Sequence, residues 1–256
     1  MSSISDTDLP LINGNQYHIF NRGNQSQNIF YLKKNYSFFL ERYAKYMNNY
    51  WDTYSYALLP NHFHLAVELK PTDKIIETAT VDFPRIGKNF LKNYLPVNEI
   101  FQHPDLLSFK NLVSLSSQRF HQLFQRGNPT DFHEHLLQWV VSERFRRFLM
   151  SYAKAINKQE GLTGSLFQKL FRRKLIEENG YLAYLILYHH RNPIHHGRAL
   201  TLMDWLWTSY HSILSDRETK LQRAKVLELF GGREAFVKKH DDNISDWKNK
   251  DEWFLE

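Results

Sequence analysis

The sequence contains no cysteine. That excludes disulfides, thiolate metal sites and cysteine nucleophiles together. It also lacks any run of about 18 apolar residues, so nothing in it is expected to span a bilayer. The first stretch, MSSISDTDLPLING, is polar and acidic, with neither a basic n-region nor an apolar h-region. It does not read as a secretory signal, and a cytoplasmic protein is expected. No internal repeat and no low-complexity tract breaks the chain.

What is present is aromatic and basic. The 256 residues include 19 Phe, 14 Tyr and 6 Trp. That length suits one large domain, or one domain with an appendage. Most of these rings are expected to pack a core. The functional alternative is base stacking, worth roughly 1–3 kcal/mol per base. The net charge of +6 is unevenly spread: residues 141–200 hold 11 Lys/Arg against 4 Asp/Glu, and the rest hold 22 against 23. A concentrated positive stretch is what an electrostatic footprint for phosphates requires.

Hydrophobic period gives a coarse map. Gln16 to Asn21 reads as a strand, closed by the turn-like Arg22-Gly23-Asn24. Phe38, Phe39, Tyr43, Tyr46 and Met47 recur at helical spacing within 35–49. Tyr54 to Leu59 and His62 to Leu69 read as strands joined at Pro60-Asn61, a hairpin. Residues 71–137 are polar and proline-punctuated, and read as short helices and loops. In 138–157, Phe145, Phe148, Leu149, Tyr152 and Ile156 form one apolar stripe. Leu166 to Glu177 reads as a strand. Residues 179–191 read as a helix stopped by Asn192-Pro193, because a residue before proline avoids the α region. A helical tail follows, with Gly231-Gly232 as a C-cap. The order predicts an α+β fold, an antiparallel sheet with helices on one face.

Within that map, His62-Phe63-His64 stands out. Side chains alternate along a strand, so the two imidazoles share a face and Phe63 points to the core. Two imidazoles so placed can hold one metal ion, although 13 histidines make chance pairs common, among them His189-His190 and His195-His196. The second feature is Tyr188 and Asn192, four apart on a helix and so on one face. A phenol can attack phosphorus, and an asparagine carbonyl one turn away can ligate the histidines' metal. Tyr184 lies on the same face, a rival nucleophile. Arg172, Arg173 and Lys174 follow an aromatic pair; alternation places Arg172 and Lys174 on one face and Arg173 on the other. They fit phosphate contacts and a solvated strand edge equally. Asn21 and Arg22, in the turn after the first strand, are further candidate DNA contacts. Trp205 and Trp207 read as packing anchors.

These residues resemble a family. Tyr56 to Leu69 (YALLPNHFHLAVEL) resembles the HUH signature of the REP-associated tyrosine transposases. Tyr17 to Asn24 (YHIFNRGN) resembles that family's first strand and turn. Ser151 to Phe167 and Gln168 to Glu178 resemble its central segment. Tyr188 to Gly197 (YHHRNPIHHG) resembles its Tyr-x-x-x-Asn-Pro helix, and Trp205 to Tyr210 (WLWTSY) its closing motif. The likeness covers roughly 15–70 and 140–212. It implies a ferredoxin-like sheet with the histidine pair on a central strand and a catalytic tyrosine on a facing helix. It further implies a divalent metal, Mg²⁺ or Mn²⁺, held by His62, His64 and Asn192, with Tyr188 as nucleophile. The implied reaction is cleavage and rejoining of single-stranded or hairpin DNA at repeated palindromes, through a 5′-phosphotyrosine. A monomer is implied, with a dimer left open.

Residues 1–212 would then form the catalytic domain, with 71–137 as an insertion, and 213–256 a helical tail. The insertion is longer than the family pattern, and the tail matches no DNA-binding motif, so target recognition stays open. The alternative from another class is a non-catalytic nucleic-acid-binding protein on a ferredoxin-like sheet. A nuclease that activates water would keep the histidines without needing Tyr188.

Overall fold

A computed structural model describes residues 9–82, 129–177 and 179–242. Its elements are β1 (Gln16–Arg22), α1 (Lys33–Met47), β2 (Trp51–Leu59), β3 (His62–Leu69), α2 (Thr72–Asp82), α3 (Pro129–Glu160), β4 (Arg172–Ile176), α4 (Asn179–His195), α5 (Tyr210–Leu214), α6 (Arg223–Phe230) and α7 (Arg233–Asp241). The expected insertion is described only at its ends, as α2 and the start of α3. The rest of it, and the last residues of the tail, lie outside the described residues.

The sheet order is β2-β3-β1-β4, with every neighbouring pair antiparallel. β1 and β3 are therefore central. This is the ferredoxin-like order, and the α+β class is as expected. The hairpin turn at Pro60-Asn61 leads directly into β3, and Pro60 also accepts the amides of Ile29 and Phe30 at 2.7 and 3.0 Å.

Alternation divides the sheet into two faces. Tyr17, Ile19, Phe63, Leu65 and Val67 point to one side and bury themselves against Phe39, Tyr43 and Met47 of α1 and Phe145, Phe148 and Tyr152 of α3. The apolar stripe read along 138–157 is thus the core face of α3. Asn35 locks the start of α1: its Oδ1 accepts the Leu32 amide at 2.8 Å, and its Nδ2 donates to Gln159 on α3 at 3.0 Å.

The other face is also covered. Leu182, Leu185 and Ile186 of α4 pack with Tyr54, Ala66 and Ile176, and Val226 and Phe236 of the tail helices complete this second core. Helices on one face was the expectation; α1 and α3 satisfy it, but α4 covers the opposite face. The reason is the non-core set of the strands. Ala57, His64 and Ala66 are fully or almost fully buried, so that face needs a cover too.

Several boundaries differ from the sequence reading; β2, for one, begins at Trp51 and not at Tyr54. The helix read as 138–157 begins at Pro129. The strand read from Leu166 shortens to Arg172–Ile176, because Phe167 instead bridges to Gly23 and Gln168 donates to the Arg22 carbonyl at 3.0 Å. α4 runs through Pro193 to His195. A proline in the last turn removes a single i→i−4 bond. The turn survives because Asn192 still accepts from His196 at 3.1 Å and Pro193 from Arg198 at 2.8 Å.

No helix among the described residues is long and apolar enough to cross a membrane. At the C-terminal end, Gly231 adopts the left-handed φ of 82° and caps α6, as the Gly-Gly pair suggested.

Two glycines should respond oppositely to alanine. A Cβ on Gly23 would run into the Gln27 backbone carbonyl, which cannot swing aside. Gly23→Ala is expected to destabilise by about 1–3 kcal/mol in chemical denaturation. Gly180, in the first turn of α4, has open space around it and an ordinary φ, so Gly180→Ala should stabilise by roughly 0.4–1 kcal/mol.

Candidate active site

Register alone brings the first imidazoles together. Phe20 on β1 faces His64 on β3, and His18 faces Ala66. His18 and His64 are therefore diagonal neighbours on one face, within reach of long side chains. His18 Nε2 lies 2.9 Å from His64 Nδ1, so the two rings share a proton. Arg22 faces His62 across the same ladder.

α4 completes the site from above. The Tyr188 ring stands edge-on to His64 with centroids 5.7 Å apart. Tyr184, one turn earlier, stacks on Tyr181. Asn192 is fully buried, and its Oδ1 lies 3.3 Å from His62 Nε2. His62 Nδ1 is 2.7 Å from Asn61 Oδ1, a pure acceptor, so Nδ1 carries the proton and Nε2 the lone pair. A lone pair and a carboxamide oxygen thus face each other at a separation that suits a shared cation, and Asn192 Nδ2 has no hydrogen-bond partner among the described residues. His62, His64, Asn192 and Tyr188 are brought to one place.

The basic candidates divide. Arg172 and Lys174 face Phe20 and His18 across the β1–β4 ladder and share the histidine face. Arg173 faces Ile19, donates to Ser142 at 3.3 Å and lies over Phe171, on the α3 side. Arg22 is half-buried beside His62, and its Nε has no hydrogen-bond partner among the described residues. Asn21 faces Phe63 and is committed: its Nδ2 donates to the Gln168 carbonyl at 3.3 Å, and its Oδ1 accepts the Arg22 amide at 2.8 Å. Arg173 lines a cleft of about 470 Å³ beside α3, and Asn21 borders both that cleft and the small space lined by Arg22, His62, His64 and Arg172.

Two residues the sequence reading passed over belong here. His18, His64 and His189 are buried, and their ligand atoms lie within 4.8 Å of one another. A signal for each was available. His18 alternates with Tyr17 and Ile19, which marks it as non-core. His189 lies three residues before Asn192, on the same helix face. Ser55 pairs with Ala66 and alternates with Ala57, so it shares this face, and its Oγ lies 2.8 Å from His189 Nδ1. Burial, then His64, then Lys174 hold His18 well below the usual histidine range. Burial, then the neighbouring imidazoles, does the same to His189. Both are neutral at pH 7, with lone pairs available.

A directed hydrogen-bond chain fixes α4 from behind. His240 Nδ1 donates to the Phe236 carbonyl at 2.7 Å, so its Nε2 accepts from His190 Nδ1 at 2.7 Å. His190 Nε2 then accepts from the Ser209 hydroxyl at 2.6 Å, and Ser209 Oγ accepts the Tyr56 amide at 3.0 Å. Tail, helix and sheet are tied by neutral imidazoles.

No family model and no curated protein matches the chain. Among solved structures, one described as a REP-associated tyrosine transposase bound to a REP hairpin is similar, with a TM-score of 0.48 and 14% identity over 84% of this chain and 87% of that one. A match at this level leaves every role at the site to this chain's own residues.

The tail clamp has a pH signature. Burial pushes His240 down to about 4, against about 6.5 in an unfolded chain. The unfolded state therefore binds the proton first, and the clamp's stability is present above pH 6.5 and lost as pH falls towards 4. That difference corresponds to about 3 kcal/mol. Thermal melts from pH 7.5 to 4 should show it, with a shallower slope in His240→Phe.

Proposed function

We propose that the chain is a metal-dependent endonuclease and strand transferase of the HUH type, a transposase that cuts and rejoins single-stranded or hairpin DNA. The observation that carries this reading is the meeting of a paired-imidazole strand, a helix carboxamide and a phenol on one sheet face. Those are the groups that metal-assisted attack by tyrosine on a phosphodiester requires.

His62, His64 and Asn192 would hold the divalent cation, Mg²⁺ or Mn²⁺. Two nitrogen donors favour Mn²⁺ of the pair. When bound, such a cation withdraws charge from a non-bridging phosphate oxygen and eases nucleophilic approach.

The protein's part is positioning and charge, the main components of phosphoryl-transfer catalysis. Arg22, Arg172 and Lys174 would hold flanking phosphates. Their disposition supports this: Arg22 lies beside His62, and the other two share the histidine face. Tyr188 Oη forms a bond to phosphorus, and the bond from phosphorus to the 3′ oxygen breaks. The phenol loses its proton and the departing 3′ oxygen gains one. The products are a free 3′-hydroxyl and a 5′-phosphotyrosine. The covalent link conserves the phosphodiester energy, so a second 3′-hydroxyl can displace the tyrosine without ATP. Repeated palindromes that fold into hairpins are the substrate class this reading takes from the sequence resemblance.

The test is a denaturing gel of labelled single-stranded hairpin DNA incubated with the protein and Mn²⁺. A covalent protein–DNA adduct is expected, absent in Tyr188→Phe and retained in Tyr184→Phe. His62→Ala and Asn192→Ala should lower its rate at least about tenfold, the minimum seen when even an outer-shell metal partner is lost. Cleavage without an adduct would mean water is the nucleophile. A gel shift without cleavage would leave only a binding module. Either result sinks the proposal.

A further inference from the structure

We infer that His18, His64 and His189 form a second cation site, suited to a zinc-class ion, which competes with His62 and Asn192 for His64. The competition rests on the metal set proposed above; the triad itself does not.

The donor set selects the ion. Among the described residues the cluster consists of three imidazoles, with no carboxylate. Imidazole nitrogens suit Zn²⁺, Co²⁺ and similar ions, and this set, unlike the one with Asn192, offers none of the oxygen that Mg²⁺ and Ca²⁺ prefer. Lys174 faces His18 from β4 and repels any cation here, so an ion must be held by nitrogen ligation rather than by charge.

The site is also built rather than accidental. His189 Nε2 is buried with no hydrogen-bond partner among the described residues, a costly arrangement for a polar nitrogen. Its other nitrogen is fixed by Ser55 at 2.8 Å. A ligating histidine is usually oriented through its second nitrogen in this way. Ligation needs small movements only: the shared proton between His18 Nε2 and His64 Nδ1, now 2.9 Å apart, gives way to the ion.

The consequence for the first site is stoichiometric. A neutral imidazole has one lone pair, so His64 can serve one cation at a time. An ion in the triad takes His64 away from His62 and Asn192 and leaves that set one donor short. Zinc-class ions should therefore displace Mn²⁺ from this protein without occupying its position.

The experiment uses metal-free full-length protein without DNA. Zn²⁺ is titrated by calorimetry, and the loaded protein is studied by X-ray absorption to count imidazoles. One ion per chain with three imidazoles is expected. Affinity should fall at least about tenfold in His18→Gln and His189→Gln and stay unchanged in His62→Ala and Asn192→Ala. Two imidazoles with a carboxamide oxygen, affinity lost in His62→Ala but kept in His189→Gln, or no stoichiometric binding would each overturn the triad. The spectroscopic count needs no variant, so a misfolded His189→Gln leaves the question decidable. In a second arm, the paramagnetic signal of free Mn²⁺ reports release of bound Mn²⁺. One equivalent of Zn²⁺ should release it from the unmodified protein and not from His189→Gln. Retention in the unmodified protein overturns the competition. Failure of Mn²⁺ to bind at all would count against the endonuclease reading, while the zinc arm still decides the triad.

Discussion

Everything at this site depends on α4 lying close against β2 and β3. The strands permit that approach because the residues under the helix are small. Ser55, Ala57 and Ala66 sit on the covered face and are completely buried. Larger side chains there would lift the helix and separate Tyr188 and Asn192 from the imidazoles below. The same small residues leave room for His18, His64 and His189 in an otherwise close-packed layer. The helix is then held by Leu185 and Ile186 in the second core, and from its far side by the His190–His240 contact to the tail. The tail is thus part of what positions the candidate nucleophile.

A buried cluster of imidazoles is tolerable only if the rings stay neutral, since an unpaired charge away from water is expensive. Burial enforces this for His18, His189, His190 and His240. Neutral rings act as both donor and acceptor, and the order of partners then fixes each tautomer. Asn61 sets His62, and the Phe236 carbonyl sets His240 and through it His190. The lone pairs left over are the ones available to a cation. Structural and chemical roles of these histidines follow from one balance of protons.

The legible parts of this arrangement were those that depend on local period. Strand alternation separated His62 and His64 from Phe63, and helical spacing joined Tyr188 to Asn192. The stripe on α3 was visible for the same reason. What was not legible was the pairing between strands and the packing between layers. His18 meets His64 only because β1 and β3 pair in one register, and nothing local states that register. The basic stretch shows the limit of linear charge counts. Arg144 pairs with Asp82 at 3.2 Å, while Arg146 and Arg147 share Glu143 at 2.6 and 2.8 Å. Arg173 turns to the α3 layer. A large share of the excess positive charge therefore serves the fold, and the part left facing the histidines is Arg172 and Lys174.

Burial sets a further condition on any chemistry here. Tyr188 is 6% exposed and His64 2%, so a phosphodiester cannot reach either without displacing something. The neighbours on the open side are His195, whose ring lies 6.3 Å from that of Tyr188, and His196, 4.9 Å from His62. Both belong to the turn that ends α4, and both are exposed. This turn survives on the few hydrogen bonds that remain after Pro193 removes one. A helix end weakened by a proline is easier to rearrange than a regular one. Asn192 stays helical in spite of the proline that follows it, and the two covering imidazoles sit on the least constrained turn of α4.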